Sequence, residues 1–550
     1  MRLDFMYSCL PASPISAAAF LSAAISDEDG VEDRISALPN GLLRDVVSRL
    51  PVKDAARTNA LCRRWRGLWR AIPLVLDDAH LLTEGPGVDW RAPAAAAVSR
   101  VLASYPGPFR CVRLLSNLID ESNKECLAEW LRLLADKGVE DLTLVNRPWG
   151  FGVPARLPPS LLSCGASLRR LYLGVWFFPF TTGLPRSPDV FPHLRELGIC
   201  HGIMQESDLE YLLACSPRLE SFALITNYCL PDRVRIGSHS LRCVLLWHSM
   251  ADEVAAIAAP RLQRLIVYCT HPTEAGRAFK VKIGYAPQLA VLGYLDTTHV
   301  LEIDNTIIKA GVTKVSPDAV VPSIKVLALK VRFRIAEEVR TLLSFLRCFP
   351  EVETLHVMAS DNHTDHYDDP GEVKARDKLN STFWQGVGPI KCVQSRVKKV
   401  VFDQFCGGTN QVGFLKMVLG RAVFLQKVIV LLADLDPITV SEATRKLNPL
   451  ASKRMWANKT LRKISLESLQ SWGVKHRLYD ATIFVRPLSS ELEAAKSLLD
   501  LLEKCWSDIK GAPSVLAITE FVDLWTVIQA QPPISAIDDT FVWRLTANGW

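Results

Sequence analysis

Hydrophobic positions in the middle of the chain follow one recurring pattern, Leu-x-x-Leu-x-Leu, in which Ile, Val, Phe or Tyr replaces some of the leucines. The last positions of each copy alternate with the period of two that is typical of a short strand. We therefore predict one strand per copy. Nine copies begin at Val139, Leu168, Leu194, Leu219, Leu241, Leu262, Leu289, Ile324 and Val352.

The starts of successive copies are 21 to 35 residues apart, which is the spacing of leucine-rich repeats loosened by insertions. One repeat cannot bury its apolar face alone, so neighbouring repeats stack into a curved solenoid. The predicted fold class is α/β, with a parallel sheet on the concave side and helices, such as one over residues 208–213, on the convex side. We expect these irregular repeats to span residues 79–379.

Polar side chains that alternate with the leucines are predicted to line the concave sheet, where such solenoids usually bind other molecules. Each of them also fits a strand residue that merely faces water. The aromatic run Trp176-Phe177-Phe178 fits either a binding hot spot or a plug that folds back into the core. The candidate target-binding residues are Arg170, Tyr172, Trp176, Glu196, Ser221, Arg264 and Thr354.

Three short amphipathic segments lie ahead of the repeats, within residues 33–76. The first opens at Leu38-Pro39 and ends at Pro51, with apolar residues at helical spacing between them. The second opens near Asp54, whose carboxylate suits the positive end of a helix. A segment of about forty residues cannot bury so many large apolar side chains internally. We therefore expect part of its apolar surface to bind a partner. The third segment carries Leu61, Trp65, Leu68 and Trp69 on one stripe.

This segment resembles an F-box of the plant type. Matching residues are Asp33-Arg34-Ile35-Ser36, Leu38-Pro39, Leu50-Pro51, Lys53-Asp54-Ala55, Arg57-Thr58 and Leu61-x-x-x-Trp65-Arg66-x-Leu68-Trp69, while Cys62 stands where the family often has Ser. The resemblance implies a small three-helix domain over residues 31–78 that docks on the Skp adaptor, and through it on cullin, in an SCF (Skp–cullin–F-box) ubiquitin ligase. An ordinary helical subdomain packed on the rest of the chain is the alternative. The expected adaptor contacts are Leu38, Pro39, Leu42, Val46, Leu50, Pro51, Trp65, Leu68 and Trp69.

The net charge of +6 is concentrated in the same segment. Residues 34–70 hold nine Arg or Lys against two Asp, a net of +7, which leaves −1 for the rest of the chain. A nucleic-acid-binding protein would spread its basic groups over a long face. We therefore predict no nucleic-acid partner, but an acidic protein surface that is steered electrostatically towards the F-box segment.

Residues 380–475 resemble the FBD region that follows the repeats in many plant F-box proteins. The match is carried by Pro389-Ile-Lys-Cys-Val393, Val397-Lys-Lys-Val-Val-Phe402, the stretch from Phe414 to Val430, and residues 451–459. The residues themselves predict a strand over 398–402, a helix over 412–422 and a strand over 425–431. These elements would cap the solenoid.

The two ends of the chain differ from the repeats. Residues 1–30, with a weak signal-peptide character, are expected to form a disordered leader. Residues 476–550 resemble a fragment of a LINE-type reverse transcriptase, with Tyr479-Asp480 in place of the Tyr-x-Asp-Asp signature. One metal-binding carboxylate of that signature is lost, so polymerase activity is excluded. A loosely folded tail with an amphipathic helix after Ser490 is expected.

Motifs of catalysis and metal binding are missing from the sequence. The 14 cysteines form no Cys-x-x-Cys pair, and no phosphate-binding or hydrolase motif occurs. The segment from His363 to Asp369 offers imidazoles and carboxylates, but it fits a solvated loop better than a metal site. No run of eighteen apolar residues suggests a membrane span. We expect no cofactor, no metal, no membrane contact and a location in the cytoplasm, the nucleus or both.

These features predict a non-catalytic substrate receptor of a ubiquitin ligase, in which the F-box docks on the Skp adaptor and the repeats bind a target protein. Two alternatives stay open. The chain could be a leucine-rich-repeat scaffold or ligand sensor that has no ligase role. It could also be a degenerate product of a chimeric gene.

Overall fold

The computed structural model describes most of the F-box segment and of the repeats. The described residues are 10–11, 13–15, 38–60, 63–70, 72–81, 91–117, 119, 124–146, 155–227, 231–273, 277–304, 306–309, 320–360, 379–433, 437–451 and 464–468. The predicted tail over 476–550 and the segment from His363 to Asp369 lie outside these residues.

The F-box segment forms three short helices: α1 (Asn40–Ser48), α2 (Val52–Arg57) and α3 (Arg63–Trp69). Prolines set the first two boundaries, since Pro39 and Pro51 stand immediately before α1 and α2. A proline fixes its own φ and disfavours a helical conformation of the residue before it. The predicted order of three amphipathic elements is confirmed.

The strands number nineteen in the described residues, and all nine predicted repeat strands are among them. In chain order they are β1 Leu74–Asp77, β2 Phe109–Leu114, β3 Asp141–Val145, β4 Arg170–Gly174, β5 Glu196–Cys200, β6 Ser221–Ile225, β7 Arg233–Gly237, β8 Cys243–Trp247, β9 Glu253–Ala258, β10 Arg264–Tyr268, β11 Lys280–Tyr285, β12 Val291–Asp296, β13 Val300–Ile303, β14 Thr306–Ile308, β15 Val326–Val331, β16 Thr354–Ala359, β17 Lys399–Phe405, β18 Lys427–Leu432 and β19 Ile464–Ser468.

Fourteen of these strands form one parallel sheet, the predicted solenoid sheet. Its order is β1-β2-β3-β4-β5-β6-β8-β10-β12-β15-β16-β17-β18-β19. Equivalent positions of successive motifs pair directly, as Leu171 of β4 does with Leu197 of β5. The motif leucines point into the core, and the alternating residues form the concave face. The chain is therefore an α/β solenoid behind an F-box segment.

The convex side is helical at both ends of the array but not in its middle. The helices after the F-box are α4 Arg91–Ser104, α5 Lys124–Asp136, α6 Ser160–Ser163, α7 Glu206–Cys215, α8 Ala336–Cys348, α9 Ser381–Gly386, α10 Lys391–Ser395, α11 Thr409–Arg421 and α12 Pro437–Leu447. Between α7 and α8 a second sheet, ordered β14-β13-β11-β9-β7, covers the core instead. In part of this region successive motifs start only 21 and 22 residues apart. The connections between neighbouring strands of the main sheet are therefore short, which favours a strand over a helix.

The predicted strand, helix and strand of the FBD-like region correspond to β17, α11 and β18. These strands continue the main sheet, pairing in parallel with β16 and with each other. The side chain of Arg421, at the end of α11, donates to the carbonyl oxygens of Val387 and Trp384. The region thus extends the solenoid rather than forming a separate layer.

One apolar core runs through the F-box segment and the repeats. Leu43 of α1 and Trp65 of α3 belong to the same buried cluster as the motif leucines. Tyr105, after α4, joins the two parts: its ring lies 5.2 Å from that of Trp69, and its hydroxyl donates to the carbonyl oxygens of Trp69 and Ile72. The F-box helices therefore cap the first repeat.

A left-handed residue follows five successive strands of the concave sheet. The first four donate their backbone N–H to the last carbonyl oxygen of the next strand, at 2.8 to 3.0 Å. Non-glycine residues pay roughly 1 kcal/mol or more for this conformation, so the repeated hydrogen bond explains why it persists. These residues are Val175, His201, Thr226, His248 and Cys269, with φ between 46° and 60°.

Part of the predicted leader is packed in the structure. Leu10 and Ile15 are only 1% and 3% exposed. At these positions the expectation of a disordered leader fails, because both side chains find apolar partners on the concave face of the first strands.

Candidate docking surfaces

The first helix of the F-box segment presents apolar side chains to solvent. Leu42 is 53% exposed and Val46 41% exposed, and Pro39 is exposed next to them. Their spacing of three and four residues places them on one face of α1. Leu43 and Val47, on the other face, are fully buried. We call Pro39, Leu42 and Val46 the α1 stripe.

The α1 stripe is held by contacts from α3 and bordered by positive charge. Arg64 donates from Nε to Asn40 Oδ1 at 2.8 Å and from Nη2 to the carbonyl oxygen of Leu38, which fixes the start of α1. The exposed border residues are Arg44, Arg49, Lys53 and Arg57. Arg49 and Arg57 pair with Asp45 and Asp54 at 3.0 and 2.8 Å. The Arg49–Asp45 pair is exposed on both sides, and a pair of that kind contributes little to stability.

The other residues predicted to contact the adaptor differ in how deeply they are buried. Leu38, Leu50 and Trp69 are half-buried and pack against the core. Pro51, Trp65 and Leu68 are buried, so a partner would reach them only after the helices had moved. Part of the stripe of α3 was expected to bind a partner, but its residues Trp65 and Leu68 are covered by α1 and by the first repeat. Leu61, on the same stripe, lies outside the described residues. Adaptor contact by any of these residues stays a prediction.

Most of the predicted target-binding residues are buried on the concave face rather than exposed there. Arg170 is half-buried and donates from Nε to Asp141 Oδ1 at 2.8 Å. The hydroxyl of Tyr172 donates to Glu196 Oε1; Tyr172, Glu196, Ser221 and Arg264 are buried and Thr354 is half-buried. Strands about 4.8 Å apart bring equivalent side chains together, so they cover one another. Their role in target binding stays a prediction.

Trp176 and Phe178 form a core plug. Both are buried, and the indole Nε1 of Trp176 donates to the carbonyl oxygen of Leu144 at 3.1 Å. Of the two alternatives for this aromatic run, the structure favours the plug. Phe177 lies beside it, and the guanidinium of Arg156 stands 5.1 Å from the Phe177 ring.

An aromatic row on the concave face was missed by the sequence analysis. The rings of Trp247 and Tyr268 stack at 4.4 Å, and Tyr268 meets Tyr294 edge to face at 4.9 Å. The Tyr294 hydroxyl lies 3.3 Å from Nδ1 of His356. The signal was available one residue past the motif: Trp247 and Tyr268 directly follow the last apolar position of their copies.

Two carboxylates at strand ends, those of Asp78 and Asp296, have shifted pKa values. Asp78, after β1, accepts hydrogen bonds from the backbone N–H of Ser116 and the side-chain amide of Asn117 at 2.7 and 2.8 Å. Burial nevertheless raises the pKa of Asp78 to about 6.

The second carboxylate is that of Asp296, the last residue of β12. There burial alone would raise the pKa of Asp296, but the positive charges of Lys330 and His299 hold it below the usual value. Burial lowers the pKa of His299 to about 4.

Metal-binding and membrane-spanning features were searched for in the described part of the chain. No cluster of three or more His, Cys, Asp or Glu side chains there has the arrangement to hold a metal ion. The helices found there are too short or too polar to cross a membrane. The candidate sites are therefore surfaces: the α1 stripe and the concave face.

Three families match successive parts of the chain. The F-box domain matches residues 35–76, the LRR repeats of the FBD-associated F-box protein At5g56370 match residues 127–357, and the FBD matches residues 385–430. The chain thus carries an F-box, leucine-rich repeats and an FBD, in the order that the fold displays.

Several plant F-box proteins are similar to this chain. The F-box/LRR-repeat protein At3g26922 of Arabidopsis thaliana is 28% identical over 48% of this chain and 74% of its own length. The FBD-associated F-box protein At5g60610 of the same plant is 24% identical over 71% of this chain and 97% of its own length. The MEIOTIC F-BOX protein MOF of Oryza sativa subsp. japonica is 29% identical, over 42% of this chain and 50% of its own length.

Proposed function

We propose that this chain is the substrate-recognition subunit of an SCF-type ubiquitin ligase. In this proposal residues 31–78 dock on the Skp adaptor, residues 79–379 hold a target protein and residues 380–475 close the end of the solenoid. Other subunits would carry out the chemistry, so this chain would act by holding the target near the ubiquitin-charged enzyme. That role places it in the cytoplasm, the nucleus or both.

The α1 stripe is the observation that supports adaptor docking best. Leu42 and Val46 leave large apolar groups in water although the core lies directly behind them. An amphipathic helix that exposes apolar anchors at helical spacing is a common way to seat a partner. The basic border around the stripe suits an acidic partner surface and speeds its approach. The stripe also lies within the residues that match the F-box.

A pull-down with purified Skp adaptor tests the proposal. The full chain should retain the adaptor, and Val46→Asp should weaken retention at least about tenfold, because a carboxylate would enter an apolar interface. Val46 is exposed, so the change should leave the fold intact. Val423→Asp is the matched control, since Val423 is an exposed valine (53%) in the loop after α11; it should bind like the unchanged chain.

Two results would contradict the proposal. The first is failure of the unchanged chain to retain the adaptor at micromolar concentration, and the second is equal binding by Val46→Asp and Val423→Asp. The first result would favour a repeat protein that works without a ligase. The second would place the docking surface elsewhere on the chain.

A further inference from the structure

A short segment of the chain's own N-terminus is seated on the concave face of β1, β2 and β3. Ile15 packs in one apolar cluster with Val75 of β1 and Cys111 of β2. Leu10 belongs to the next cluster along the sheet, which includes Val145 of β3. The segment therefore crosses the strands, with one buried apolar side chain at each end.

A buried arginine between these two contacts binds the backbone of the segment. Arg113 of β2 donates from Nη1 to the carbonyl oxygen of Pro11. Its Nε donates to Asp77 Oδ2 at 3.2 Å, and both side chains of this ion pair are at most one-tenth exposed. Because the carboxylate fixes the guanidinium, one N–H donor is aimed at the concave face, where a backbone carbonyl oxygen of a peptide can accept it.

The sequence of the segment, Leu-Pro-Ala-Ser-Pro-Ile over residues 10–15, defines what the surface recognises. Pro11 and Pro14 each have a fixed φ, which lowers the entropy lost on binding, and the backbone bends at Pro14 and Ile15. Pro14 is exposed and Ser13 half-buried. Among the described residues of the segment, the contacts with the sheet are made by the side chains of Leu10 and Ile15 and by the carbonyl oxygen of Pro11. Such a set of contacts suits a short peptide seated in a groove.

We propose that the concave surface of Val75, Cys111, Arg113 and Val145, here called the β1–β3 groove, is a docking site for a short proline-containing peptide with an apolar side chain at each end. Residues 10–15 are its internal occupant. A target or regulatory peptide of this kind binds by displacing them. Displacement of residues 10–15 by a target peptide rests on the proposed receptor function, whereas occupation of the groove by residues 10–15 does not.

Alkylation of Cys111 in the full chain measures whether the groove is filled. Burial raises the pKa of the Cys111 thiol to about 12, so N-ethylmaleimide should react slowly there. Ile15→Asp puts a carboxylate against Val75 and should release the segment. The labelling rate of Cys111, read by peptide mass spectrometry, should then rise at least about tenfold, since each unit of pKa is a tenfold change in thiolate. Pro14→Asp, with the same charge at an exposed neighbour, should label like the unchanged chain.

A synthetic peptide of residues 10–15 tests the class of ligand. Added to the Ile15→Asp chain, it should restore the protection of Cys111, whereas the same peptide with Asp in its last position should not. Unchanged labelling in Ile15→Asp, or a failure of the peptide to protect, would overturn the proposal. Retention on the Skp adaptor should stay the same throughout, which separates this test from that of the ligase role.

Cys243 reports on folding in the same experiment. It is buried on the concave face of β8, away from the groove, and should label slowly in every variant. If Ile15→Asp also exposes Cys243, a chain that lacks residues 1–15 takes its place, because that deletion buries no charge. Slow labelling of Cys111 in the deleted chain would then refute the proposal, and fast labelling that the peptide reverses would support it.

Discussion

Leu42 and Leu43 are adjacent in sequence, yet they lie on opposite faces of α1. Leu43 is fully buried in the shared core, whereas Leu42 is 53% exposed on the α1 stripe. Truncation of each to alanine therefore separates stability from binding. The pair is matched in residue type, helix and distance from the helix end.

The expected magnitudes follow from this burial. Leu43→Ala removes three buried carbon atoms, about 2.4 kcal/mol at 0.8 kcal/mol each, and the cavity left behind raises the loss in unfolding free energy to about 3 to 4 kcal/mol. Leu42→Ala should lower it by less than about 1 kcal/mol, because half of that side chain is already in water and alanine favours the helix. Binding to the adaptor should fall about tenfold in Leu42→Ala.

Urea unfolding followed by tryptophan fluorescence measures the first effect, since Trp65 and Trp69 lie in the joint between α3 and the first repeat. Titration with the Skp adaptor measures the second. Equal losses of stability in the two variants would refute the orientation of α1. A stable Leu43→Ala would refute the shared core of F-box and repeats.

Two further predictions concern the joint and the strand ends. Tyr105→Phe keeps the ring but leaves the carbonyl oxygens of Trp69 and Ile72 without the donor they share, so the unfolding free energy should fall by about 1 to 2 kcal/mol. Tyr285→Phe, at a 64% exposed tyrosine, should change it by less than about 0.5 kcal/mol, and equal losses would contradict the contact. The pKa of Asp78, raised to about 6 from 3.8, means that the folded state holds a proton which the unfolded state has lost between these values. The unfolding free energy should therefore fall as pH rises from 4 to 6, by at most about 3 kcal/mol. Urea titrations at a series of pH values measure this fall, and Asp78→Asn should make it smaller. An equally steep fall in Asp78→Asn would contradict the raised pKa of Asp78.

The main sheet was predictable because its signal is local. In each copy the alternating apolar residues face the core within one strand, and the spacing of the copies sets the order of the strands. The same holds for α1 and α2, whose boundaries are marked by Pro39 and Pro51. The convex sheet had a local signal too: Arg233-Val-Arg-Ile-Gly and Lys280-Val-Lys-Ile-Gly-Tyr alternate with period two, which favours strands over the helices expected there.

Exposure on the concave face was not predictable from single strands, because it is set by the neighbours. Tyr172 is polar at its tip and stands at an alternating position, yet its hydroxyl is satisfied by Glu196 of the next strand. Side chains 24 residues apart in sequence thus decide whether either one meets water. The left-handed turns are similar: Val175 and Thr226 lack the usual sequence signal of glycine or asparagine, and the hydrogen bond to the next repeat stabilises them.

The same dependence on neighbouring elements explains why some of the predicted adaptor contacts in the F-box segment are exposed and others are buried. Trp65 and Leu42 both lie on apolar stripes of amphipathic helices, and the sequence does not say which stripe the repeats will cover. Tyr105 lies beyond the residues that match the F-box, and Ile72 lies near their end. Together they complete the surroundings of α3. With α3 covered, α1 is left as the helix whose apolar face is free in the described residues. The surface for a partner is therefore defined jointly by the F-box and the first repeat, and an isolated F-box segment would expose Trp65 and Leu68 as well.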